Sequence, residues 1–264
     1  MMLTAAQYAF GGLSGIAVGF VLALVGGGGS ILAVPLLLYA VGVKDPHQAI
    51  GTSALAVAAN ALVGLWNHAR AKTVNWRCGY VFAGAGVIGA LAGSTVGKAI
   101  DGDKLLFVFA ILMVVVAVYM FVTRGDEGVE GAQCNRDNAA KVVAYGLGTG
   151  VFSGFFGIGG GFLIVPGLVA ATSMPVLKAV GTSLVAVFSF GFATAANYAM
   201  SDFVIWPLAA VFVLGGFIGS ALGARAARRL AAKKGTLNKI FASLVVGVAG
   251  YMLYEVWLAV AANS

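Results

Sequence analysis

Apolar residues fill this chain in long blocks separated by short polar breaks, and the blocks come in two sets of five. In the first set they cover about residues 11–25, 31–43, 47–67, 78–100 and 104–123, and the second set repeats them about 130 residues later. The third, fourth and fifth blocks reach the ~20 residues that a helix needs to span a bilayer. The second holds only about 13 residues, or ~20 Å at 1.5 Å per residue, and is too short to cross alone. Between the first and second blocks lies a glycine cluster closed by a proline, Gly26-Gly27-Gly28-Gly29-Ser30-Ile31-Leu32-Ala33-Val34-Pro35, matched later by Gly157-Ile158-Gly159-Gly160-Gly161-Phe162-Leu163-Ile164-Val165-Pro166. The pattern predicts either a re-entrant hairpin tipped by glycines near the midplane or two tilted helices joined there. Lipid offers no hydrogen-bond partners, so a helix broken at that depth must be buried in protein or must line a polar cavity.

Composition agrees with a membrane chain: 61% of the 264 residues are hydrophobic and 9% charged, against roughly 25% charged in soluble domains. The longest polar stretch, residues 124–141, reads as a loop, and residues 1–7 lack the basic start of a cleaved signal peptide. The net charge of +7 resides in loops between apolar blocks, which suits a lipid surface and argues against nucleic acid. Cys78, Cys134, His47 and His68 have no metal-ligand spacing, so the cysteines are expected to be ordinary thiols and no cofactor is implied.

Self-alignment resolves the two sets into an internal duplication. A shift of 131 superposes Pro35 on Pro166, and a shift of 130 superposes Gly51-Thr52-Ser53 on Gly181-Thr182-Ser183, Asn67 on Asn197, Trp76 on Trp206 and Gly93 on Gly223. The expected organisation is a first membrane repeat at 1–123, a cytoplasmic linker at 124–138 and a second repeat at 139–264. Charge then sets their relative orientation. If the repeats are inverted, 13 Lys and Arg fall on one side, and Lys44, Lys98 and Lys104 on the other; a parallel arrangement divides the 16 nearly evenly. The positive-inside rule therefore predicts an all-α polytopic membrane protein of two inverted-topology repeats, with both termini outside the cytoplasm. Each repeat would hold three long spanning helices plus a Gly-tipped broken or re-entrant hairpin.

Several residues could carry chemistry. Glycine every four residues in the fourth blocks (Gly89, Gly93, Gly97 and Gly215, Gly219, Gly223) fits close helix packing. The clusters fit that reading less well, since adjacent glycines each cost a helix roughly 1 kcal/mol relative to Ala and offer bare backbone to a ligand instead. A helix beginning after each cluster, near Ser30 and Phe162, would aim free N–H groups and a positive dipole end inward, which favours an anion. Ser53, Asn60 and Asn67, seven apart, share one face of the third helix; Ser183, Phe190 and Asn197 occupy the corresponding places. The candidate substrate-binding set is Gly27, Gly28, Gly29, Ser30, Thr52, Ser53, Asn60, Gly159, Gly160, Gly161, Thr182 and Ser183. Interhelical hydrogen bonding is the alternative use of the hydroxyls. No Asp or Glu falls mid-block, which disfavours cation transport. Gly12-Leu13-Ser14-Gly15 matches the G-x-S-G pattern of rhomboid-type intramembrane proteases, but the duplication has no place in that mechanism.

Glycine cluster, Val-Pro, then Ala-Ile-Gly-Thr-Ser at 49–53 or Ala-Val-Gly-Thr-Ser at 179–183 together resemble the sulfite exporter TauE/SafE family of bacterial membrane transporters. The resemblance covers nearly the whole chain. It implies a secondary transporter, more simply an exporter, of a small sulfur-containing anion such as sulfite, an organosulfonate or thiosulfate across the cytoplasmic (inner) membrane. Its partners would be that anion and the bilayer, with a homodimer as one assembly open to it. An anion channel of the same architecture is the rival reading.

Overall fold

A computed structural model describes residues 3–122, 134–157, 161–230, 243, 246–252 and 254, and the description below concerns those residues. They contain helices and no strand. In order these are α1 (Ala5–Val25), a 3₁₀ stretch (Gly26–Leu32), one α turn α2 (Ala33–Pro35), a π-helical stretch (Leu36–Ala40), α3 (Pro46–Arg70), α4 (Trp76–Lys98), α5 (Gly102–Val122), α6 (Arg136–Phe156), α7 (Gly161–Thr172), α8 (Val176–Ala199) and α9 (Trp206–Leu230). Six of them, α1, α3, α4, α6, α8 and α9, contain stretches long and apolar enough to cross a membrane.

Local sequence explains the boundaries. Pro46 takes the first position of α3, where a missing N–H costs nothing, and Asp45 caps it by accepting from the His47 N–H at 2.9 Å. Asn75 caps α4 in the same way, accepting from Cys78 N–H at 3.2 Å. Asn135 and Asn138 form a reciprocal capping box at the start of α6, and Gly157 ends that helix in the left-handed conformation, φ +66°. The first block of each half is longer than its apolar run. α1 begins at Ala5 and α6 at Arg136, because capped polar turns extend helices into sequence that hydropathy alone discards.

The stretch after the first glycine cluster also departs from expectation. No helix starts at Ser30: 3₁₀ winding begins at Gly26, passes through one α turn and loosens to π pitch after Pro35, where the Val41 N–H bonds to Leu36 O at 3.0 Å. Residues 26–40 fold back along α1. Gly29 presses on the α1 backbone at Val21 and Leu22, and the Gln7 side chain donates to Val41 O at 3.2 Å. In the second half α7 begins at Gly161, one residue before the expected start.

Two tight interfaces join first helices to fourth helices, always across the halves. α4 packs on α6 and α1 on α9, each pair running parallel at backbone contact. A methyl group on Gly150 would coincide with Gly86 O, one on Gly154 with Ala90 O, and one on Gly93 with Val151 O. On the other interface Gly19 meets Gly216 O, Gly219 meets Ile16 O and Gly223 meets Phe20 O. The four-residue glycine spacing is thus a close-packing device, matched by glycines on the partner helix. α3 and α8 are the most enclosed, with 67% of each apolar window buried, and they cross the centre antiparallel. Gly51 lies against Tyr198, Gly191 against Ala54 and Ala58, and Gly64 against Leu184. α4 runs parallel to α8, through Gly79 against Thr182 and Ser94 against Asn197. One end of the bundle therefore gathers the starts of α4, α6 and α8 and the ends of α3 and α9.

The backbone repeats even where side chains do not. Left-handed residues occur at Gly42 and Ser173, 131 apart, and at Lys72 and Asp202, 130 apart. Cys78 and Cys134 are not separate thiols: they are disulfide-bonded, Cα–Cα 5.3 Å, tying the first turn of α4 to the residue pair preceding α6. With a sequence separation of 56, no local spacing rule could have paired them.

Candidate functional site

The Gly-Thr-Ser units lie near the starts of α3 and α8 and so at opposite ends of this antiparallel pair, Gly51 against Tyr198 and Phe203 and Gly181 against His68 and Thr73, and all four hydroxyl residues are fully buried. Their bonding is duplicated. Thr52 Oγ1 accepts from the Ile205 N–H at 3.0 Å, just ahead of α9, and Thr182 Oγ1 accepts from the Asn75 N–H at 2.9 Å, just ahead of α4. Each threonine thereby satisfies a backbone donor at the entrance to the other half's fourth helix, where a helix start leaves N–H groups unpaired. A hydroxyl that accepts still owns its hydrogen, so both can donate further. Ser53 and Ser183 instead donate to carbonyls of their own helices, Ile50 O at 2.9 Å and Val180 O at 2.8 Å, and their remaining capacity is to accept.

Asn60 is also completely buried, in the middle of α3, and neither its Oδ1 nor its Nδ2 has a partner. It packs against Gly216 of α9, the glycine that also receives Gly19 of α1. Phe190 fills the corresponding place in the second half, against Gly86 of α4, which receives Gly150 of α6. Of the glycines expected at the site, Gly29 lies against α1 and Gly161 opens α7; Gly27 and Gly28 belong to the 3₁₀ stretch; Gly159 and Gly160 lie outside the described residues. Ser30 is fully buried within the 3₁₀ stretch.

Two further buried hydroxyls without a partner, Ser153 on α6 and Thr194 on α8, were not singled out from sequence. Neither falls in a duplicated motif, and isolated Ser or Thr in an apolar block is commonplace. Only burial without a partner distinguishes them.

Charge is kept out of this centre. The buried polar side chains among the described residues are Ser, Thr and Asn, together with the Tyr198 hydroxyl and one edge of the His47 ring at one end of the bundle. Lys98, at the end of α4, uses its three donors on Asn197 O (3.0 Å), Asn197 Oδ1 (2.7 Å) and Ser201 Oγ (2.9 Å), and Asn197 in turn donates to Ser94 Oγ at 2.6 Å. That knot straps α4 to α8. Asn67, its counterpart in the stripe on α3, is partly exposed. Gly12 and Gly15, which flank Ser14, pack against Val211 and Phe212 of α9, so the protease-like tetrapeptide serves helix contact. A separate cavity of about 590 Å³ lies between α5, α6 and α7, lined by Leu112, Val115, Tyr145, Phe152 and Leu163. Thr149 in its wall donates to Tyr145 O at 2.7 Å, which leaves that apolar groove poorly suited to an anion.

A bundle with six helices long and apolar enough to cross a bilayer, and with uncharged polar groups buried among them, is that of a multi-pass membrane protein. The chain belongs to the family described as sulfite exporter TauE/SafE, whose model matches residues 12–252. It is similar to a "Probable membrane transporter protein" of Xylella fastidiosa, 48% identical over 94% of this chain and 96% of the relative. More distant relatives are the "Probable membrane transporter protein YunE" of Bacillus subtilis, 27% identical over 91% of this chain and 95% of its own length, and MJ0441 of Methanocaldococcus jannaschii, described in the same words, 27% identical over 90% and 93%. No solved structure matches.

Proposed function

We propose that this chain exports a small sulfur-containing anion, such as sulfite, an organosulfonate or thiosulfate, across the cytoplasmic membrane, holding it between two inverted repeats. The observation that carries the reading is the central interior: rich in neutral donors, free of buried carboxylates among the described residues, and enclosed by a fold whose family is described by sulfite export. Neutral donors can strip water from an anion without trapping it, whereas a buried carboxylate would repel it. The glycine clusters are the proposed walls of the site, with the Thr52 and Thr182 hydroxyls toward the two opposite ends of the passage. With the cell interior negative, a departing monoanion gains ~2.3 kcal/mol per 100 mV, so export needs no coupled ion.

The antiparallel run of α3 against α8 supports the inverted arrangement. The end that collects Arg70, Lys72, Arg77, Lys178 and Arg225 is the proposed cytoplasmic face, the three lysines 44, 98 and 104 lying toward the other.

The test is uptake of radiolabelled sulfite into proteoliposomes, with thiosulfate, sulfate, taurine, sulfoacetate and a carboxylate analogue as competitors. Saturable, competed flux with counterflow is expected. Flux that never saturates would favour a channel, and no flux of any sulfur anion would end the reading.

A further inference from the structure

In the described part of the molecule, buried side-chain atoms without a partner occur on five residues: His47, Asn60, Ser153, Thr194 and Tyr198. His47 and Tyr198 sit together at one end of the bundle, where the first turn of α3 meets the last turn of α8, with ring centroids 6.4 Å apart. Of the other three, Asn60 lies mid-helix, Ser153 in the last turn of α6 and Thr194 five residues before the end of α8. Gly157, the residue after α6, meets Ile50, so Ser153, one turn earlier, stands one turn deeper at the level of Ala54. Gly191 meets Ala54 and Ala58, so Thr194 stands near the level of Ser53 and Ala54 too. Asn60 is six residues further along α3, roughly 9 Å at 1.5 Å per residue. These orphans come from three helices, α3, α6 and α8, and from both halves, and they fall in the central part of the bundle.

Polar groups buried without partners are rare in folded proteins, and inside a bilayer no surrounding solvent can satisfy them. The contrast with their neighbours is sharp. Thr52, Thr182, Ser53 and Ser183 are already bonded to protein, and so are Thr149 and Thr172, which donate to their own helices. We infer that Asn60, Ser153 and Thr194 are the donors that meet the transported ion, and that they select an oxyanion carrying a single negative charge. This rests on the anion-transport reading and names the ligand-facing groups within it.

The chemistry is limited by what these residues own. Asn60 supplies two N–H donors, and Ser153 and Thr194, further along the axis, one O–H each, so the oxygens of a sulfonate or of hydrogen sulfite meet the amide and the hydroxyls in turn as the ion moves. None carries charge. Burying an ion costs in proportion to the square of its charge, so a dianion faces four times the penalty of a monoanion, with no cation in the buried set to offset it. Sulfate and thiosulfate should therefore be poor ligands beside sulfonates, and sulfite should be carried in its singly charged form.

The deciding experiment uses the full chain in proteoliposomes, with labelled sulfite as probe and methanesulfonate, sulfate and thiosulfate as competitors. Ser153→Ala and Thr194→Val each remove a hydroxyl with little change of volume, and Asn60→Leu replaces the amide by a branched apolar side chain with the same number of heavy atoms. Each is expected to lower uptake by about tenfold, in line with loss of one hydrogen bond to a charged group, while leaving the melting temperature unchanged or higher. Thr194→Ser, which keeps the hydroxyl, should retain uptake, and methanesulfonate should compete far better than sulfate. Wild-type uptake that survives all three substitutions would overturn the assignment and leave the transport reading standing, the orphan groups then being hydrated structure. Equal competition by sulfate would overturn the charge selection. A wild-type protein that moves no sulfur anion would instead overturn the transport reading, and this site with it. If Asn60→Leu fails to fold, Ser153→Ala and Thr194→Val decide the matter, since unchanged uptake in both counts against the proposal.

Discussion

α3 and α8 share a motif and a bonding pattern at their starts and differ midway. Both carry Gly-Thr-Ser near the start, both use the threonine to receive a backbone N–H from the other half, and both turn the serine onto their own carbonyls. Midway they part: α3 presents Asn60 to a glycine of α9, and α8 presents Phe190 to a glycine of α4. What the pair teaches is where to look for function in a duplicated protein. Features common to both helices maintain the frame; a position that differs while its surroundings stay matched is where their chemistry diverges.

The comparison can be broken most severely at the glycines that frame it. Gly150→Leu and Gly219→Leu would drive a side chain into Gly86 O and Ile16 O, where only backbone could yield, and should abolish the folded protein in detergent size-exclusion profiles. Gly148→Leu, on the same helix as Gly150 but with nothing within 4 Å of an added carbon, should elute as wild type. If both α6 variants behave alike, the glycine interface does not hold the halves together.

Next in size is the divergent pair itself. Phe190→Ala should cost about 3–5 kcal/mol by emptying a fully buried site, seen as a large fall in melting temperature. Asn60→Ala should cost much less, because the amide it removes has no partner to lose. Equal losses would show that the amide is as structural as the phenyl ring.

The matched threonines should respond nearly equally. Thr52→Val and Thr182→Val each strand one backbone N–H, and each should lower stability by about 1–3 kcal/mol. A marked inequality in thermal denaturation would reveal a duty that one hydroxyl has and its twin lacks. Smallest is the effect of relieving the paired left-handed residues. Lys72→Gly and Asp202→Gly should each add up to about 1 kcal/mol, since glycine adopts φ near +55° without the steric cost of a side chain. Lower melting temperatures would mean that the two side chains hold contacts worth more than that cost.

Much of this frame was legible in the sequence because repetition amplifies weak signals. A single Gly-Thr-Ser says little, but two at a constant offset from two glycine clusters locate homologous helices, and the spacing of Gly89 and Gly93 announced a contact face that α6 then filled. The partner of that face was not legible. Periodicity shows that a helix has a small-residue side without saying which helix receives it, and here the receiver belongs to the other half. The extent of α1 and α6 was missed because caps and polar turns, not hydropathy, determine helix ends. Ser153 and Thr194 stayed hidden because the absence of a partner is a property of the packed molecule.

The cross-half pairing also imposes an order on synthesis. Ser220 of α9 donates to Gly19 O of α1 at 3.2 Å across 201 residues of chain. At about 5–20 residues per second, the ribosome leaves α1 waiting roughly 10–40 s in the bilayer before its partner exists. The α4 and α6 faces, joined through Gly86 and Gly150, become available far sooner. The first helix made is thus among the last to be clasped, and a nascent chain halted before α9 leaves the insertion machinery with an unpaired glycine face as the mark of unfinished work.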